Sequence, residues 1–271
     1  MPDNVKKNED DDKIYIFVSH SHRDILPVRI IRNYLESLGT EPILFFLKSL
    51  TDEDGITRLI EMEIDARIWF IYCKSPNALD SKWVKTEIAY AKETGKQFSL
   101  TIDLDEDVHG NVLSPGCVAA INDTIFRIKK LKRIFYSHSR ASEPICEDII
   151  SRLSHYGIRF FNMNDLFTFT GASWFDSIEG RMDDSPFCLC FLQEGEKQSV
   201  SLDMEMRMAE YKKKRIVFVR LFDERKSLDP SELVLNGERL LIPFDISDMR
   251  KSSNNLMMLL MNILGASKKQ D

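Results

Sequence analysis

The sequence repeats itself at a fixed interval. The tripeptide Ser-His-Ser occurs at 19–21 and again at 137–139, an offset of 137 − 19 = 118 residues. The same offset pairs identical residues further along the chain: Ile16 with Ile134, Glu87 with Glu205, Ala91 with Ala209, and Lys96 with Lys214. One ungapped offset over roughly eighty residues indicates two copies of one folding unit. We therefore predict a tandem repeat, with copy one at 13–128 and copy two at 133–266.

Each copy alternates continuous apolar runs with amphipathic stretches. The runs of copy one are KIYIFVS, EPILFF, IWFIYC, QFSLTI and, as a late short strand, NDTIFRI. Those of copy two are RIFYS, IRFFN, FCLCFL, RIVFVRL and LLIPF. Apolar strands that alternate with helices are typical of parallel sheets covered on both faces. We predict α/β architecture: two flavodoxin-like domains, each a five-stranded parallel sheet of order 2-1-3-4-5 with helices on both faces.

The regions outside the two copies are short. The linker is predicted at about Lys129–Lys132, too short to let the domains move far apart. The polar and acidic residues 1–12 are predicted to be a disordered tail.

Composition favours a cytoplasmic protein. With 43% hydrophobic and 30% charged residues the chain is ordinary for a globular protein, and its longest apolar runs are too short to cross a bilayer. The five cysteines form no CxxC pair, and we interpret them as reduced core residues. A net charge of −6 with only short basic clusters argues against a nucleic-acid partner.

Two unusual segments are predicted to meet at one edge of the first sheet. In the order 2-1-3-4-5, the ligand crevice opens at the carboxyl ends of strands 1 and 3. The loop after strand 1 is SHSHRD, and the helix after strand 3 carries Trp83 and Glu87, four residues apart. An aromatic ring beside a carboxylate on one helix face is a candidate ligand site.

Each of these residues also has a purely structural interpretation. Ser19 and Ser21 suit turns and helix caps. Trp83 alone is more often a packing residue, and Glu87 alone is more often a solvated helix charge. His20 and His22 have no third ligand at a recognisable spacing, so no metal site is predicted.

Three segments of copy one resemble the TIR (Toll/interleukin-1 receptor) domain. They are FVSHSHRD, FFLKSLTDEDG and SPNALDSKWVKTEIAYAKETGK, and the WxxxE helix is the most specific of them. The resemblance implies cleavage of the nicotinamide glycosidic bond of NAD, giving ADP-ribose or a cyclic ADP-ribose. NAD is then the substrate, and no cofactor is implied.

The resemblance also implies roles for particular residues. Glu87 falls on the catalytic position of the family. The substrate-binding positions, which include the strand 1 loop and the mobile loop at about 47–55, fall on Trp83, Ser19, His20, Ser21, Arg23, Leu47 and Ser75.

This chemistry needs few protein groups. Nicotinamide leaves a positively charged pyridinium as a neutral molecule, so no general acid is required. Positive charge gathers on the ribose in the transition state, as in other glycoside cleavages. Glu87 is expected to bind the ribose hydroxyls and stabilise that charge, with Trp83 as an apolar wall.

Copy two keeps the carboxylate and loses its surroundings. Glu205 stands opposite Glu87, but Ser201 replaces Trp83 and Gln193 replaces Ser75. We expect a degenerate second site around Glu205 and His138, with little or no turnover, serving as a scaffold or as a product or partner site.

Two functional classes remain open from the sequence. The first is an NAD-consuming enzyme of bacterial antiphage immunity, which self-assembles with other TIR domains and acts with a phage trigger or a separate effector. The second is a non-catalytic adaptor that only recruits other TIR domains, in which a carboxylate at Glu87 would have no purpose.

Overall fold

The computed structural model describes residues 13–44, 53–96, 99–154, 158–162, 182–193, 200–223 and 240–266. The chain divides into two compact units, Met1–Phe126 and Arg127–Asp271. The division falls inside one helix, so the predicted linker at Lys129–Lys132 begins with that helix's last residues.

The first unit contains a parallel sheet with helices between its strands. In chain order its elements are β1 (Ile14–Ser19), a 3-10 turn (His22–Asp24), α1 (Ile25–Ser37), β2 (Thr40–Ile43), α2 (Glu53–Asp65), β3 (Trp69–Lys74), α3 (Pro76–Asp80), α4 (Lys82–Glu93), β4 (Leu100–Asp103), α5 (Leu104–Asp107), β5 (Val108–His109), β6 (Val112–Leu113) and α6 (Pro115–Lys130). The described strands form a parallel sheet of order β2-β1-β3-β4, and β5 pairs with β6 in a separate antiparallel ribbon.

The second unit repeats this plan. Its elements are β7 (Arg133–His138), α7 (Glu143–Ser154), β8 (Arg159–Phe161), β9 (Phe187–Gln193), α8 (Val200–Tyr211), β10 (Arg215–Phe222), β11 (Leu240–Asp245), a 3-10 turn (Ile246–Asp248) and α9 (Met249–Ala266). The sheet order is β8-β7-β9-β10-β11, all parallel, which is the predicted order 2-1-3-4-5.

The registers of the central strands reproduce the sequence offset. Phe17 of β1 faces Phe70 of β3, and Phe135 of β7 faces Cys188 of β9. Both members of the second pair lie 118 residues after those of the first, since 135 − 17 and 188 − 70 are equal. The two units therefore share one backbone plan at the point where the carboxyl ends of these strands meet.

The segment predicted as the fifth strand of copy one is helical. NDTIFRI, at 122–128, is part of α6. Its apolar residues belong to a helical series of buried positions three and four apart: Cys117, Ile121, Ile125 and Ile128. That spacing forms one face of a helix, and β-branched residues alone suggested a strand.

Three further expectations can be set against the described residues. All five cysteines are buried and unbridged. Among the described helices, none has the length and apolar character needed to cross a membrane. The tail predicted at 1–12 lies outside the described residues.

Candidate functional site

A buried hydroxyl–carboxylate pair joins β1 to α4. Ser19 is the last residue of β1, and its hydroxyl donates a hydrogen bond of 2.5 Å to Oε2 of Glu87. Both side chains are buried, with 1% of Ser19 and 6% of Glu87 exposed. Ser81 caps α4 by accepting from the backbone N–H of Val84, and the buried Val84 and Ala91 hold the helix against the sheet. Glu87 thus lies at the carboxyl edge of the sheet, where the sequence predicted a site.

Burial raises the pKa of the Glu87 carboxyl to about 7, against an opposing effect of the Ser19 hydrogen bond. A carboxyl in a dry environment is costly to ionise, whereas a hydroxyl that donates to it favours the charged form. Near neutral pH Glu87 therefore exists in both protonation states. A perturbed carboxyl at the edge of a parallel sheet is typical of functional sites.

The loop after β1 has two buried and two exposed residues. His20 and Ser21 are buried, and His22 and Arg23 are exposed. The Nδ1 atom of His20 lies 3.0 Å from the carbonyl oxygen of Val18, and burial lowers the pKa of its imidazole. Ser21 accepts a hydrogen bond from the backbone N–H of Arg23 and so caps the 3-10 turn, as its capping alternative predicted.

Asp24 links this loop to the start of α3. One carboxylate oxygen accepts a 2.5 Å hydrogen bond from the Ser75 hydroxyl, and the other accepts a 2.6 Å hydrogen bond from the Asn77 amide. Ser75 in turn accepts from the backbone N–H of Ala78 at 2.9 Å. The hydroxyl proton of Ser75, a residue expected to bind substrate, is therefore directed to Asp24.

Trp83, a residue of α4, is half-buried and packs toward α2. Its ring contacts a core cluster that consists of Phe17, Ile56, Ile60, Ile64, Phe70 and Ala91. The ammonium of Lys82 lies 5.5 Å from the ring centroid. The packing alternative thus accounts for the buried part of the ring, and its role as a wall beside Glu87 stays a prediction.

Copy two contains the same carboxylate at the equivalent position. Glu205 on α8 is 7% exposed, and burial raises its pKa to about 7 while the neighbouring Ser137 hydroxyl lowers it. Ser137 makes no hydrogen bond of normal geometry to the residues that the structure describes, so its contact with Glu205 is looser than that of Ser19 with Glu87. His138, the expected partner, instead stacks on Tyr136 with ring centroids 5.6 Å apart.

Sequence reasoning missed two of these residues. Asp24 is not among the expected site residues, although an acidic residue that ends a loop beside a candidate crevice is a signal for one. Ser137 was passed over for its neighbour, although the 118-residue offset pairs it with Ser19. Leu47 lies outside the described residues, and within the described ranges no three His, Cys, Asp or Glu side chains are grouped as metal ligands.

Comparison with known sequences identifies both halves of the chain. The sequence model of the TIR domain matches residues 16–121 and 134–260. A protein from Cytobacillus dafuensis, provisionally named cyclic ADP-D-ribose synthase TIR2, is 26% identical over 118 residues. That match covers 39% of this chain and 30% of the relative, so the chain spans less than a third of the relative's length.

Two solved structures with remote likeness to this chain are transcription regulators. The trehalose repressor from Escherichia coli is 10% identical, with 93% of this chain and 94% of that chain covered at a TM-score of 0.23. A LacI transcriptional regulator from Lactobacillus brevis is 14% identical, with 92% and 93% covered at a TM-score of 0.21. Scores this low carry no argument about this protein.

Proposed function

The chain belongs to the TIR domain family, and from that premise we propose that it cleaves the bond between nicotinamide and ribose in NAD. The observation that carries the proposal is the buried Ser19–Glu87 pair at the carboxyl edge of the first sheet. A module that only binds other TIR domains gains nothing from a carboxylate that is costly to bury.

The proposed reaction breaks the C1′–N bond, and its electron pair leaves with nicotinamide, which becomes neutral. The ribose then carries an oxocarbenium-like charge, which the ionised Glu87 stabilises while it holds the ribose hydroxyls. Water captures C1′ to give ADP-ribose and a proton, or a nucleophilic atom of the same molecule captures it to give a cyclic product. The name of the Cytobacillus relative supports a search for the cyclic product.

We assign the substrate contacts to the first copy. His20, Ser21 and Arg23 lie on the loop that begins at Ser19, and Leu47 and Trp83 complete the expected set. Ser75 serves the site through Asp24 rather than by donating to substrate.

We propose that copy two acts as a scaffold, or as a product or partner site, and does not turn over NAD. Its carboxylate is retained at Glu205, but Ala141, Ser142 and Ser201 stand where copy one has Arg23, Asp24 and Trp83. The aromatic ring is not preserved beside the second carboxylate, and the loop arginine stands one position earlier, at Arg140 opposite His22.

The biological setting that we propose is bacterial antiphage immunity in the cytoplasm. The buried, unbridged cysteines suit a reducing compartment. Other TIR domains are the proposed assembly partners, and a phage trigger or a separate effector is the proposed signalling partner.

The deciding experiment is nicotinamide release from NAD by the purified protein, with products resolved by mass. Glu87→Gln is expected to reduce turnover by at least about a hundredfold, as loss of a central electrostatic group does. Glu205→Gln is the matched control, because it makes the same change at the equivalent buried position, and it is expected to keep most of the activity.

Two results would contradict the proposal. One is a folded Glu87→Gln protein with full activity. The other is a wild-type protein that neither releases nicotinamide nor binds NAD over a wide range of protein concentrations, which would favour the adaptor alternative.

A further inference from the structure

Asp24 occupies a helix-capping position without capping the helix. It directly precedes α1, where an aspartate normally accepts a hydrogen bond from a backbone N–H of the first turn. Its side chain makes no such bond. Instead, both carboxylate oxygens are directed across the crevice edge to Ser75 and Asn77.

Copy two has a different residue at the position of Asp24. The equivalent residue in copy two is Ser142, since 24 + 118 = 142, and it precedes α7 in the same way. Ser142 is satisfied locally: its hydroxyl lies 3.0 Å from the Ser139 hydroxyl and 3.1 Å from the Ser139 carbonyl oxygen. Among the described residues of copy two, the residue before the equivalent helix is thus bonded within its own loop, and the same parallel strand order forms around it.

Both ends of the loop that follows β1 are held in place. At one end, Ser19 is held in register with Tyr72 of β3. At the other end, Asp24 is 7% exposed and is held by Ser75 and Asn77. Only residues 20–23 lie between these two fixed points.

The same link reaches the helix that carries the carboxylate. The carbonyl oxygen of Asn77 accepts a 3.0 Å hydrogen bond from the N–H of Ser81, the residue that caps α4. A continuous path therefore joins Asp24 through Asn77 and Ser81 to the helix of Glu87. Its effect is to set the spacing between the 20–23 loop and Glu87.

We infer that Asp24 is a positioning residue: its hydrogen bonds to Ser75 and Asn77 hold the 20–23 loop in its substrate-binding position beside Glu87. This inference rests on the proposed function, since it assigns the loop to NAD. A loop that is ordered before binding saves the substrate the cost of ordering it. Asp24 thus acts on substrate binding through the loop, without touching the reacting atoms.

The test compares Asp24→Ala, Ser75→Ala, their double variant and Asp24→Asn in steady-state kinetics with NAD. Both single alanine variants are expected to raise KM about tenfold while kcat changes less than about threefold. The reason is that the free-energy cost of ordering the 20–23 loop is then met when substrate binds, and the chemical step is unaffected. The double variant is expected to be no worse than either single one, because both remove the same link. Asp24→Asn keeps one acceptor oxygen and should raise KM less.

A second readout separates positioning from general destabilisation. Hydrogen exchange of peptides covering 19–26 is expected to accelerate in the alanine variants, while exchange in α7 and α8 stays unchanged. The pH dependence of kcat/KM should stay that of the wild type, because the Ser19–Glu87 pair is intact. Asp148→Ala, which removes an exposed carboxylate on α7, is the matched control.

Three results would overturn the inference. They are an unchanged KM, a loss of kcat at constant KM with faster exchange throughout the first unit, and additive effects in the double variant. Ser75→Ala keeps the test decisive if Asp24→Ala fails to fold. If the wild-type protein neither releases nicotinamide nor binds NAD, the proposed function fails, and hydrogen exchange at 20–23 alone decides the link: unchanged exchange in the alanine variants refutes it.

Discussion

At the scale of single residues, Glu87 opposes the stability of the unit that contains it. Its pKa of about 7 in the folded protein exceeds the ordinary value of 4.5, so the folded state binds more protons between these two pH values. Stability therefore falls as pH rises through that window. A shift of this size is worth on the order of 3 kcal/mol at most.

Glu87→Gln should consequently stabilise the protein at pH 8 by about 1–3 kcal/mol and change little at pH 4. Chemical denaturation at the two pH values measures the difference, with the exposed Glu36→Gln as control. An equal effect at both pH values would show that the carboxyl is not strained by burial. A variant that gains stability as it loses turnover would mark Glu87 as a functional residue.

Ser19 should control the pH at which kcat/KM falls on the acidic side of its pH profile, which we call the acidic limb. Its hydrogen bond lowers the Glu87 pKa, so Ser19→Ala should raise that pKa and move the limb of kcat/KM to higher pH. For a wild-type pKa of about 7, the rate at pH 6 should be about a tenth of its plateau. Ser137→Ala makes the matched change in copy two and should leave the limb in place. A limb that Ser19→Ala does not move would exclude Glu87 as its source.

At the scale of secondary-structure elements, the two units end α4 and α8 in the same way. Gly95 has φ of 74° after α4, and Lys213 has φ of 53° after α8. The next residue closes each turn with equivalent hydrogen bonds, from Lys96 N–H to the Ala91 carbonyl at 2.7 Å and from Lys214 N–H to the Ala209 carbonyl at 2.8 Å. Copy two thus places a side chain where the backbone favours glycine.

Lys213→Gly is therefore expected to stabilise copy two by about 0.5–1 kcal/mol. Gly95→Lys should destabilise copy one by a similar amount, and thermal unfolding of both variants measures the effect. Lys212→Gly, one residue earlier, is the control and should not stabilise. A destabilised Lys213→Gly protein would mean that the Lys213 side chain contributes contacts worth more than its backbone strain.

The small core beneath the two helices has been repacked between the copies. In copy one it consists of Tyr72, Ala78 and Val84 with Ile88. In copy two Cys190, Leu202 and Met206 stand at the positions of Tyr72, Val84 and Ile88, and the Cys190 and Met206 sulfurs are 3.9 Å apart. The lost Tyr72 ring is offset only in part by the larger Leu202 side chain, so these three side chains occupy less volume in copy two.

Cys190→Tyr alone should therefore overpack copy two and cost about 1–3 kcal/mol. Adding Leu202→Val and Met206→Ile should recover part of that loss, because the triple variant restores three of the four side chains found in copy one, Glu196 standing in place of Ala78. Urea unfolding of the single, double and triple variants measures the coupling. Strictly additive effects would show that these side chains do not share one space.

The sequence predicted these elements better than it predicted the site. The positions of the apolar runs and the 118-residue offset predicted the central strands correctly. Their registers depend on the same apolar pattern that the sequence displays. The strand prediction for NDTIFRI is wrong because β-branched residues favour strands, whereas Ile121 and Ile125 are buried on one face of a helix. Asp24 bonds to Ser75 and Asn77, which follow it in the chain by 51 and 53 positions. Nothing in the local sequence pattern indicates hydrogen bonds between residues so far apart.

At the scale of the whole molecule, assembly between chains is the expected control of activity. Leu26 and Leu79 are 71% and 56% exposed, and they lie on the two elements that Asp24 links. Exposed apolar side chains at the edge of a site suit contact with a further TIR domain.

Specific activity should therefore rise with protein concentration, and Leu79→Ser should flatten that rise. Tyr211→Ser, which removes a side chain that is 80% exposed on α8, is the control. Activity measured across a hundredfold dilution series, together with light scattering, tests the expectation. Equal specific activity at every dilution would mean that one chain is sufficient.

The repacked core also bears on how a duplicated chain avoids misfolding. Because β1 and β7 carry the same register toward β3 and β9, a nascent chain offers each strand a second, geometrically acceptable partner. Such exchange between neighbouring copies is a common failure of tandem domains. Here a hybrid domain would set Tyr72 against Leu202 and Met206, too much volume for one space, or Cys190 against Val84 and Ile88, too little. The differences between the two cores thus make each copy a poor template for the other.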